Sequence, residues 1–357
     1  MREIIFTVNG PGELSGLIFP LVKAFRRQYP DFRYTLYVVP CQFRAGNEAE
    51  LARESGLFQN VFSVAEYRKY IFRKTWPSSY QPAPQTIVFY GGGDSWHARA
   101  LAKKYACDLY GYDEGKVARQ GWFKKLFSRD RDGNLMVDAA LARDIGYQAV
   151  PIGSEKLTVG LYPGSRPRHL RVLVPFLSAA AEILSAKYPN INFRWGIRPE
   201  LRRAVEHDFP QRFSAPYEQP GEKYDLLIAL TGTNTAISAA LGIPLLILLP
   251  LNYPELVPFD GLLGLLSDLP WAGRLLKRLL IAAGMRGRPY IAIPNIKAGR
   301  RIAPELVGVL TPPQVAAAAE ETLLNIEARR VMHEDLPLAI GKPGAQNIVN
   351  YFAELWR

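Results

Sequence analysis

The stretch Leu157–Arg166 constrains the fold of this chain more than any other. The apolar run Leu157–Tyr162 has the length of a buried strand and ends at the turn Pro163–Arg166. An amphipathic helix is predicted from about Leu170. A short strand, a glycine turn and a helix leave backbone N–H groups pointing at an anion, and a guanidinium suits phosphate. The alternative is an ordinary strand-to-helix turn with a surface arginine.

Similar junctions recur along the chain. We predict strands at Glu3–Val8, Tyr34–Val39, Thr86–Tyr90 and Cys107–Tyr112, with a helix at about Leu17–Arg27. The second half repeats this plan, with strands predicted at Leu157–Tyr162, Asn192–Ile197, Asp225–Leu230, Leu245–Leu249 and Tyr290–Ile293, and helices at Leu170–Lys187, Glu200–His207, Asn234–Leu241 and Pro313–Met332. This alternation predicts an α/β fold with two Rossmann-like domains, whose parallel sheets face a central cleft.

The length of 357 residues suits two domains better than one, and the hydrophobic content of 48% is ample for two cores. We expect an N-terminal Rossmann-like domain at residues 1–153 and a C-terminal one at residues 154–342. A final helix, about residues 343–357, is expected to pack back on the N-terminal domain.

The formal net charge of +11 indicates an acidic partner, which is a nucleotide, a nucleic acid or an anionic membrane surface. Cys41 and Cys107 are the only cysteines, so a disulfide framework or a cysteine zinc site is excluded and a cytosolic protein is expected. The first residues are typical of a strand rather than a signal peptide. No apolar run reaches the ~18 residues of a membrane-spanning helix.

Three segments combine basic and aromatic or leucine residues, which suits a membrane interface with anionic lipid. They are Glu66–Tyr80, Lys116–Arg131 and Trp271–Arg288. One alternative is a solvated basic face over an ordinary packed helix. Single-stranded nucleic acid also uses basic and aromatic residues together, but no nucleic-acid module accompanies them, so we expect no nucleic-acid partner.

Three further loops carry candidate ligand-binding residues. Asn9–Gly16 holds three glycines, which let the backbone approach a ligand, although it is not a G-x-G-x-x-G fingerprint. Thr231–Ala236 adds hydroxyl groups at a predicted helix start, where Thr233 or Asn234 could equally be a simple cap. The segment Ile293–Glu305 is predicted to join a strand to a helix, and offers the polar side chains of Asn295 and Glu305.

An ordered set of motifs resembles the lipid-A-disaccharide synthase family, which comprises lipid-linked glycosyltransferases of glycosyltransferase family 19 with a GT-B fold. The set consists of Gly12–Gly16, Pro163–Arg166, Gly232–Thr235, Pro294–Gly299 and Pro304–Leu306. Gly133–Asp138 is similar to a family segment before the second domain, and Gly344-Ala345 to the start of its final helix. The resemblance extends from about residue 3 to residue 350.

Three positions depart from the family pattern. Leu17 stands where the family has an aspartate after the first glycine loop, and His169 stands where it has a glutamate after the arginine turn. Ile237 replaces an acid that is a plausible partner of the donor's ribose hydroxyls. The resemblance therefore implies an altered recognition of the donor.

The resemblance implies an inverting transfer of a GlcNAc-type sugar from a UDP-sugar donor to a lipid-linked sugar acceptor. The N-terminal domain would bind the acceptor and the C-terminal domain the donor. The implied donor-binding residues are Gly164, Ser165, Arg166, Gly232, Thr233, Asn234, Thr235, Asn295 and Glu305, and the implied acceptor-side loop contains Gly12, Ser15 and Gly16. Such an enzyme is expected in the cytoplasm, peripheral on the inner face of the cell membrane.

Three residues are candidates for the chemistry at the acceptor. Asp94 follows a predicted strand in the glycine-rich loop Gly91–Gly93 and is favoured as the general base, with helix capping as its alternative role. His97 competes for the same task because its ordinary pKa suits proton transfer near neutrality. Glu13 is expected to orient the acceptor.

No cofactor or metal is expected. Asp130–Asp132 spells an Asp-x-Asp signature, but it lies in a basic, linker-like stretch with no predicted strand before it. Protein cations are expected to replace the metal. The alternatives are a GT-B transferase for another lipid acceptor and a catalytically degenerate sugar-nucleotide-binding protein, which the missing acid at Ile237 favours. A sugar-nucleotide epimerase shares the fold but does not need the basic–apolar segments.

Overall fold

The computed structural model describes residues 2–40, 46–73, 80–114, 117, 120–164, 166–253, 256 and 289–356, without the side chains of residues 73, 200 and 233. The chain divides into two compact units. Unit 1 comprises Met1–Ala142 and Gly341–Arg357, and unit 2 comprises Arg143–Ile340.

Unit 1 is built on a six-stranded sheet in which every pairing of neighbouring strands is parallel. The strand order is β3-β2-β1-β4-β5-β6. The strands are β1 (Arg2–Val8), β2 (Arg33–Val38), β3 (Asn60–Phe62), β4 (Gln85–Tyr90), β5 (Asp108–Asp113) and β6 (Lys125–Ser128). This is the Rossmann order, and it reverses direction between β1 and β4, where such sheets bind ligands beyond the carboxyl ends of the strands.

The helices of unit 1 connect these strands. They are α1 (Pro11–Glu13), a π-helical turn (Leu14–Ile18), α2 (Phe19–Gln28), α3 (Glu48–Glu54), α4 (Val64–Arg73), α5 (Ser95–Tyr105), a 3-10 turn (Gln120–Trp122), α6 (Arg129–Asp132), α7 (Leu135–Leu141) and the C-terminal helix (Ala345–Leu355). Helical structure begins at Pro11 rather than near Leu17, so most of the predicted loop Asn9–Gly16 is helical. Proline at a first helical position explains this early start, because its fixed φ suits a helix.

The C-terminal helix belongs to unit 1. Its Phe352 is fully buried, with ring centroids 5.4 Å from Phe25 and 4.8 Å from Tyr110. The carboxylate of Asp138 accepts hydrogen bonds from the backbone N–H groups of Gly344 and Ala345, at 2.7 and 3.1 Å. Burial raises the pKa of Asp138, although these hydrogen bonds oppose that shift. The two segments Gly133–Asp138 and Gly344-Ala345 therefore contact each other.

Unit 2 is built on a five-stranded parallel sheet with the order β13-β12-β11-β8-β9, and a small parallel pair of β10 with β7. The strands are β7 (Ile145–Tyr147), β8 (Thr158–Tyr162), β9 (Asn192–Trp195), β10 (Glu222–Tyr224), β11 (Leu226–Leu230), β12 (Leu245–Pro250) and β13 (Glu305–Gly308). The order of this sheet also reverses beside its first strand, between β8 and β11. The predicted α/β fold with two Rossmann-like parallel sheets, the GT-B class, is confirmed.

The helices of unit 2 cover this sheet. They are α8 (Pro167–Lys187), α9 (Pro199–Asp208), α10 (Thr233–Ala240), α11 (Ile293–Ala298), α12 (Pro312–Leu324) and α13 (Ile326–Ile340). Among the described residues, α8 alone has the length and apolar composition of a membrane span, and 56% of that window is buried inside the protein. Leu173 and Leu177 of α8 lie in the core with Trp195, which accounts for its apolar character.

A buried ion pair connects α13 to the first residues of unit 2. Arg329 donates to the carboxylate of Asp225 at 2.8 Å, and neither side chain is exposed. The same carboxylate accepts the backbone N–H groups of Val150 and Thr158, each at 3.0 Å. Residues 143–153, which the sequence assigns to the N-terminal domain, lie in unit 2 because β7 pairs with β10 and Val150 is held by Asp225.

The predicted strand Tyr290–Ile293 is wrong, because helix α11 begins at Ile293 and the edge strand β13 starts at Glu305. The backbone N–H groups of Ile291 and Ala292 donate to the carboxylate of Glu305, at 3.0 and 2.9 Å, and are not available for a strand ladder. The segment therefore joins a helix to a strand, the reverse of the expectation. The single helix predicted at Pro313–Met332 is two helices, α12 and α13.

The basic and aromatic segments are not simple surface features. In Glu66–Tyr80, the rings of Tyr67, Tyr70 and Tyr80 are buried in the core of unit 1. The segment Lys116–Arg131 contains β6, a strand of the main sheet with Phe127 in its interior. These buried rings reflect sheet and helix packing, whereas Phe72 of the first segment is exposed. The third segment, Trp271–Arg288, lies outside the described residues.

We predict that Gly344→Ala destabilises the protein. A Cβ at Gly344 would lie 2.5 Å from the backbone carbonyl carbon of Gly133, so the C-terminal helix would have to move. The free energy of unfolding in urea should fall by about 1–3 kcal/mol. Gly121→Ala is the control, because a Cβ at Gly121 has nothing within 4 Å. Equal stability of the two variants would contradict this docking of the C-terminal helix.

Candidate functional site

The two glycine turns of unit 2 lie at one edge of its sheet. Strands β8 and β11 are parallel neighbours, with Tyr162 beside Ala229. The turns that follow them, Pro163–Arg166 and Thr231–Gly232, therefore leave the sheet side by side. Gly164 and Gly232 have φ angles of +105° and +144°, which favour glycine. The turns stand where the strand order reverses, the usual ligand position in such a sheet.

Each turn leads directly into a helix. Arg166 precedes α8, which starts at Pro167, and Gly232 precedes α10. Helix starts carry unpaired N–H groups and a partial positive charge, so these turns can hold an anion. Arg166 is partly buried at the start of α8. Ser165, predicted with them, lies outside the described residues.

The buried hydroxyl of Thr235 stabilises the second turn. Its side chain is fully buried, and its hydroxyl donates to the carbonyl of Gly232 at 2.6 Å and accepts the Gly232 N–H at 3.3 Å. The residue before α10 is Gly232 rather than Thr233 or Asn234. Asn234 is partly exposed at the start of α10. The hydroxyl of Thr235 therefore fixes the backbone of Gly232 from the buried side of the turn.

Asn295 and Glu305 hold the segment that leads to β13. Asn295 is completely buried, and its amide nitrogen donates at 2.8 Å both to the Ala303 carbonyl and to Glu305. Its amide oxygen accepts the N–H groups of Ile302 and Ala303, at 2.8 and 3.0 Å. All the polar atoms of the Asn295 side chain are engaged within the chain, so its role is to position Glu305 and α11.

Glu305 lies close to the level of the two glycine turns. By register it stands beside Ile247, Ile247 beside Ala229, and Ala229 beside Tyr162, the last residue of β8. Its Oε2 accepts the N–H of Ile291. A carboxylate oxygen can accept a second hydrogen bond, so Glu305 retains the capacity to bind a hydroxyl group.

His169 is a buried residue that the motif analysis did not place in the site. It lies in the first turn of α8 with 8% of its surface exposed, and neither ring nitrogen has a hydrogen-bond partner in the part of the chain that the structure describes. Burial, with Arg166 and Arg168 nearby, lowers the pKa of His169 to about 3. The imidazole is therefore neutral at physiological pH. The only hint in the sequence that this position matters is that His169 stands where the family pattern has a glutamate.

A polar cluster anchors the strand that leads to the first turn. The hydroxyl of Tyr162 donates to the carboxylate of Glu218, which also pairs with Arg143. Tyr224 donates to the same carboxylate at 3.2 Å. Because Tyr162 directly precedes Pro163, this cluster fixes the point where the turn begins.

The candidate residues of unit 1 lie at the corresponding edge of the other sheet. Strands β1 and β4 are parallel, with Thr7 beside Tyr90, and the N–H of Gly91 donates to the Thr7 carbonyl at 3.1 Å. A Cβ at Gly92 would lie 2.8 Å from Cγ of Glu13, so the Glu13 side chain rests on the glycine loop. The register thus brings Glu13 to the loop that carries Asp94.

Asp94 caps helix α5. Its Oδ1 accepts the backbone N–H of Trp96 at 2.9 Å, which is the capping role considered as the alternative for this residue. The residue is exposed to solvent. Capping uses one carboxylate oxygen and leaves the other available, so it is compatible with a role as a base.

His97 is tied to the core by one ring nitrogen. Its Nδ1 lies 2.6 Å from the hydroxyl of Tyr67, which leaves Nε2 as the nitrogen that can meet a ligand. Burial lowers the pKa of His97, Asp94 raises it, and Arg68 lowers it further. The net direction favours a neutral ring at physiological pH.

The predicted acceptor-side loop is helical. Ser15 lies in the π-helical turn and its hydroxyl donates to the Pro11 carbonyl at 2.8 Å, while Gly16 is buried. Gly12 is partly exposed in α1. Asn9 is a residue that the motifs did not reveal. Its amide oxygen is buried without a hydrogen-bond partner among the described residues.

The Asp-x-Asp signature has a structural role. Asp132 accepts the backbone N–H of Ser128 at 2.7 Å, and Asp130–Asp132 lies within α6. Strand β6 comes directly before it, which corrects the expectation that no strand leads into the signature. Within the described ranges, no group of three or more His, Cys, Asp or Glu side chains could hold a metal ion.

Comparison with known proteins gives sequence relatives. No family model matches the chain. The lipid-A-disaccharide synthase of Nitrosococcus oceani is 28% identical over 196 residues, which are 53% of this chain and 45% of that protein. That of Syntrophus aciditrophicus is 27% identical over 222 residues, 59% of this chain and 52% of that protein. The chain spans about half the length of the curated relatives it matches.

Solved structures share the fold at low sequence identity. The UDP-GlcNAc 2-epimerase from Neisseria meningitidis bound to UDP-GlcNAc has a TM-score of 0.54 and 12% identity, covering 100% of this chain and 99% of that one. The UDP co-structure of S. aureus MnaA has a TM-score of 0.54 and 14% identity, covering 100% and 97%. At these identities the likeness shows the fold alone. In sequence the chain is similar to lipid-A-disaccharide synthases, and its fold is that of two Rossmann-like units of the GT-B class.

Proposed function

We propose that this protein is a glycosyltransferase that moves a GlcNAc-type sugar from a UDP-sugar donor to a lipid-linked acceptor, with inversion at the anomeric carbon. The observation that carries the proposal is the pair of glycine turns, Pro163–Arg166 and Thr231–Gly232, at the reversal point of the sheet of unit 2. The sequence relation to lipid-A-disaccharide synthases supports the reaction class.

The donor binds in unit 2 in this proposal. Transfer leaves the nucleotide diphosphate with an extra negative charge, and the arrangement that stabilises it must offer positive charge and preorganised N–H groups. The starts of α8 and α10 supply the N–H groups, and Arg166 supplies the cation. Glu305, positioned by Asn295, is suited to accept hydrogen bonds from hydroxyl groups of the nucleoside.

The acceptor is activated in unit 1. The acceptor hydroxyl oxygen attacks the anomeric carbon, its proton passes to the carboxylate of Asp94, and the bond from the anomeric carbon to the diphosphate oxygen breaks, leaving its electron pair on that oxygen. Glu13, against the same glycine loop, orients the acceptor by accepting a neighbouring hydroxyl. His97 is the competing base, with Nε2 as the reacting atom.

A sugar-nucleotide-binding protein without transfer activity is the second candidate. The observation that favours it is Ile237, which is 7% exposed and offers no carboxylate where the resemblance expects one. UDP binding without any UDP release on lipid acceptors would support this candidate. Turnover with a lipid acceptor would exclude it.

The acceptor's lipid requires a membrane surface, so the protein is proposed to be peripheral on the inner face of the cell membrane. Helix α4 exposes Arg68, Lys69 and the ring of Phe72, which is 73% exposed. Trp96, at the start of α5, is 45% exposed. Cations beside exposed aromatic rings suit the headgroup region of an anionic membrane.

Asp94→Asn should reduce transfer by roughly 10²–10⁴-fold, because the amide cannot take the acceptor's proton. The fold should survive, since asparagine is as good a helix cap as aspartate. The measurement is UDP release with lipid acceptors, together with the urea midpoint. Asp31→Asn, a change at an exposed aspartate of unit 1, is the control. Full activity of the Asp94 variant would remove Asp94 as the base and leave His97.

Arg166→Ala should weaken UDP binding by about 1.5–3 kcal/mol, the range of a hydrogen bond to a charged group. Isothermal titration calorimetry measures this change directly. Arg171→Ala is the matched control, because Arg171 is an exposed arginine of α8, the helix that Arg166 precedes. If both variants bind UDP like the natural protein, Arg166 does not hold the diphosphate.

Flotation with liposomes should show binding that requires anionic lipid and falls as salt is added, because salt screens exposed charges. Arg68→Glu with Lys69→Glu should weaken it. Lys103→Glu reverses another exposed charge of unit 1 and should have little effect. Equal binding to neutral vesicles would contradict an electrostatic membrane contact.

A further inference from the structure

His169 is a buried polar side chain that the proposed mechanism does not use. It is 8% exposed, and neither Nδ1 nor Nε2 has a hydrogen-bond partner among the described residues. Buried polar groups are almost always paired, and one left unpaired destabilises the folded protein. A buried histidine in this condition is expected to meet a partner that arrives from outside the chain.

The ring is directed at the first glycine turn. A Cβ built on Gly164 would lie 2.7 Å from Nδ1 of His169 and 3.0 Å from its Cβ, so the imidazole lies directly against this turn. His169 is the third residue of α8, after Pro167, and its position is therefore fixed by the helix. The imidazole of His169 and the start of α8 therefore both lie next to the turn at Gly164.

The surroundings decide what kind of ligand fits. Arg166 and Arg168 lie close enough to lower the pKa of His169 together with burial, so the ring stays neutral and offers one N–H donor. Two nearby guanidinium groups disfavour a cation, and therefore a metal ion, at this point. Phosphate oxygens suit this position, because they accept hydrogen bonds and carry the opposite charge.

We propose that His169 binds the ligand directly, by donating a hydrogen bond from its neutral imidazole to a phosphate oxygen of the diphosphate held at the Pro163–Arg166 turn. This inference rests on one part of the proposed function, namely that the turn is a diphosphate site. It does not depend on sugar transfer. The residue would add a donor without adding charge beside the two arginines.

The test compares His169→Phe with the natural protein. Phenylalanine keeps a planar ring of similar size and removes both nitrogens. Affinity for inorganic pyrophosphate and for UDP, measured by calorimetry, should fall at least about tenfold, the usual effect of a lost hydrogen bond to a charged group. The thermal midpoint of the ligand-free variant should be equal or higher, because two unpaired buried atoms are gone.

The control is His207→Phe, which changes an exposed histidine of the same unit and should leave both affinities unchanged. If the natural protein binds UDP and His169→Phe binds it equally well, the inference is overturned while the donor site stands. If the natural protein binds neither pyrophosphate nor UDP, the inference and the donor site both fail. Binding that depends on His169 without sugar transfer would support the inference and refute the transferase.

A measurement on the natural protein covers the case in which His169→Phe does not fold. The ring nitrogens of His169 can be followed by NMR while inorganic pyrophosphate is added. A shift of the His169 ring signals that saturates with pyrophosphate is expected. Unchanged ring signals at saturating pyrophosphate would overturn the proposal.

Discussion

The parallel pairing of β8 with β11 is the constraint on which unit 2 depends. Asp225 fixes this pairing at the amino end, where it accepts the N–H of Thr158 and is held by the buried Arg329. Removing one partner of such a pair leaves an uncompensated buried charge, which costs about 3–5 kcal/mol. Because the amino end is fixed, the turns at the carboxyl end emerge as neighbours although they are far apart in sequence.

Unit 1 uses the same physical arrangement. Glu3 is buried at the start of β1, where it accepts the hydroxyls of Thr35 and Tyr80 at 2.5 and 2.6 Å and the N–H of Ala83 at 2.9 Å. The opposite ends of β1 and β4 carry Glu13 and Asp94. In each unit a buried carboxylate accepts hydrogen bonds at the amino ends of the strands. The loops that carry the candidate functional residues lie at the carboxyl ends.

The two edges differ in chemistry. The edge of unit 2 offers N–H groups and a guanidinium, which suit an anion. The edge of unit 1 offers the hydrogen-bond acceptors Asn9, Glu13 and Asp94, which suit the hydroxyl groups of a sugar. A reaction in which a hydroxyl loses its proton and a diphosphate departs needs both kinds of group, and this difference underlies the proposed transfer.

The sequence predicted the strands that combine an apolar run with a glycine turn, such as Leu157–Tyr162, because burial on both faces requires such runs. It failed at Tyr290–Ile293, where the backbone N–H groups of Ile291 and Ala292 donate to the carboxylate of Glu305 instead of to a neighbouring strand. In Glu66–Tyr80 the sequence did not show that Tyr67 and Tyr70 are buried while Phe72 is exposed, because the spacing of the rings alone does not tell which helix face is buried.

The candidate site was predictable only in part. The turns at Gly164 and Gly232 follow from sequence pattern and topology. The positioning role of Asn295 depends on which atoms meet in the folded chain. So does the lack of a hydrogen-bond partner, among the described residues, for the ring nitrogens of His169 and the amide oxygen of Asn9. A missing hydrogen-bond partner is a property of three-dimensional packing, and no sequence motif reports it.

A crystal structure of the protein with UDP tests the central claim most directly. The account predicts the diphosphate at the carboxyl edge of the unit 2 sheet, with its oxygens within hydrogen-bond distance of Arg166 and of backbone N–H groups at the starts of α8 and α10. UDP bound elsewhere, with the turns at Gly164 and Gly232 free of ligand, would contradict it.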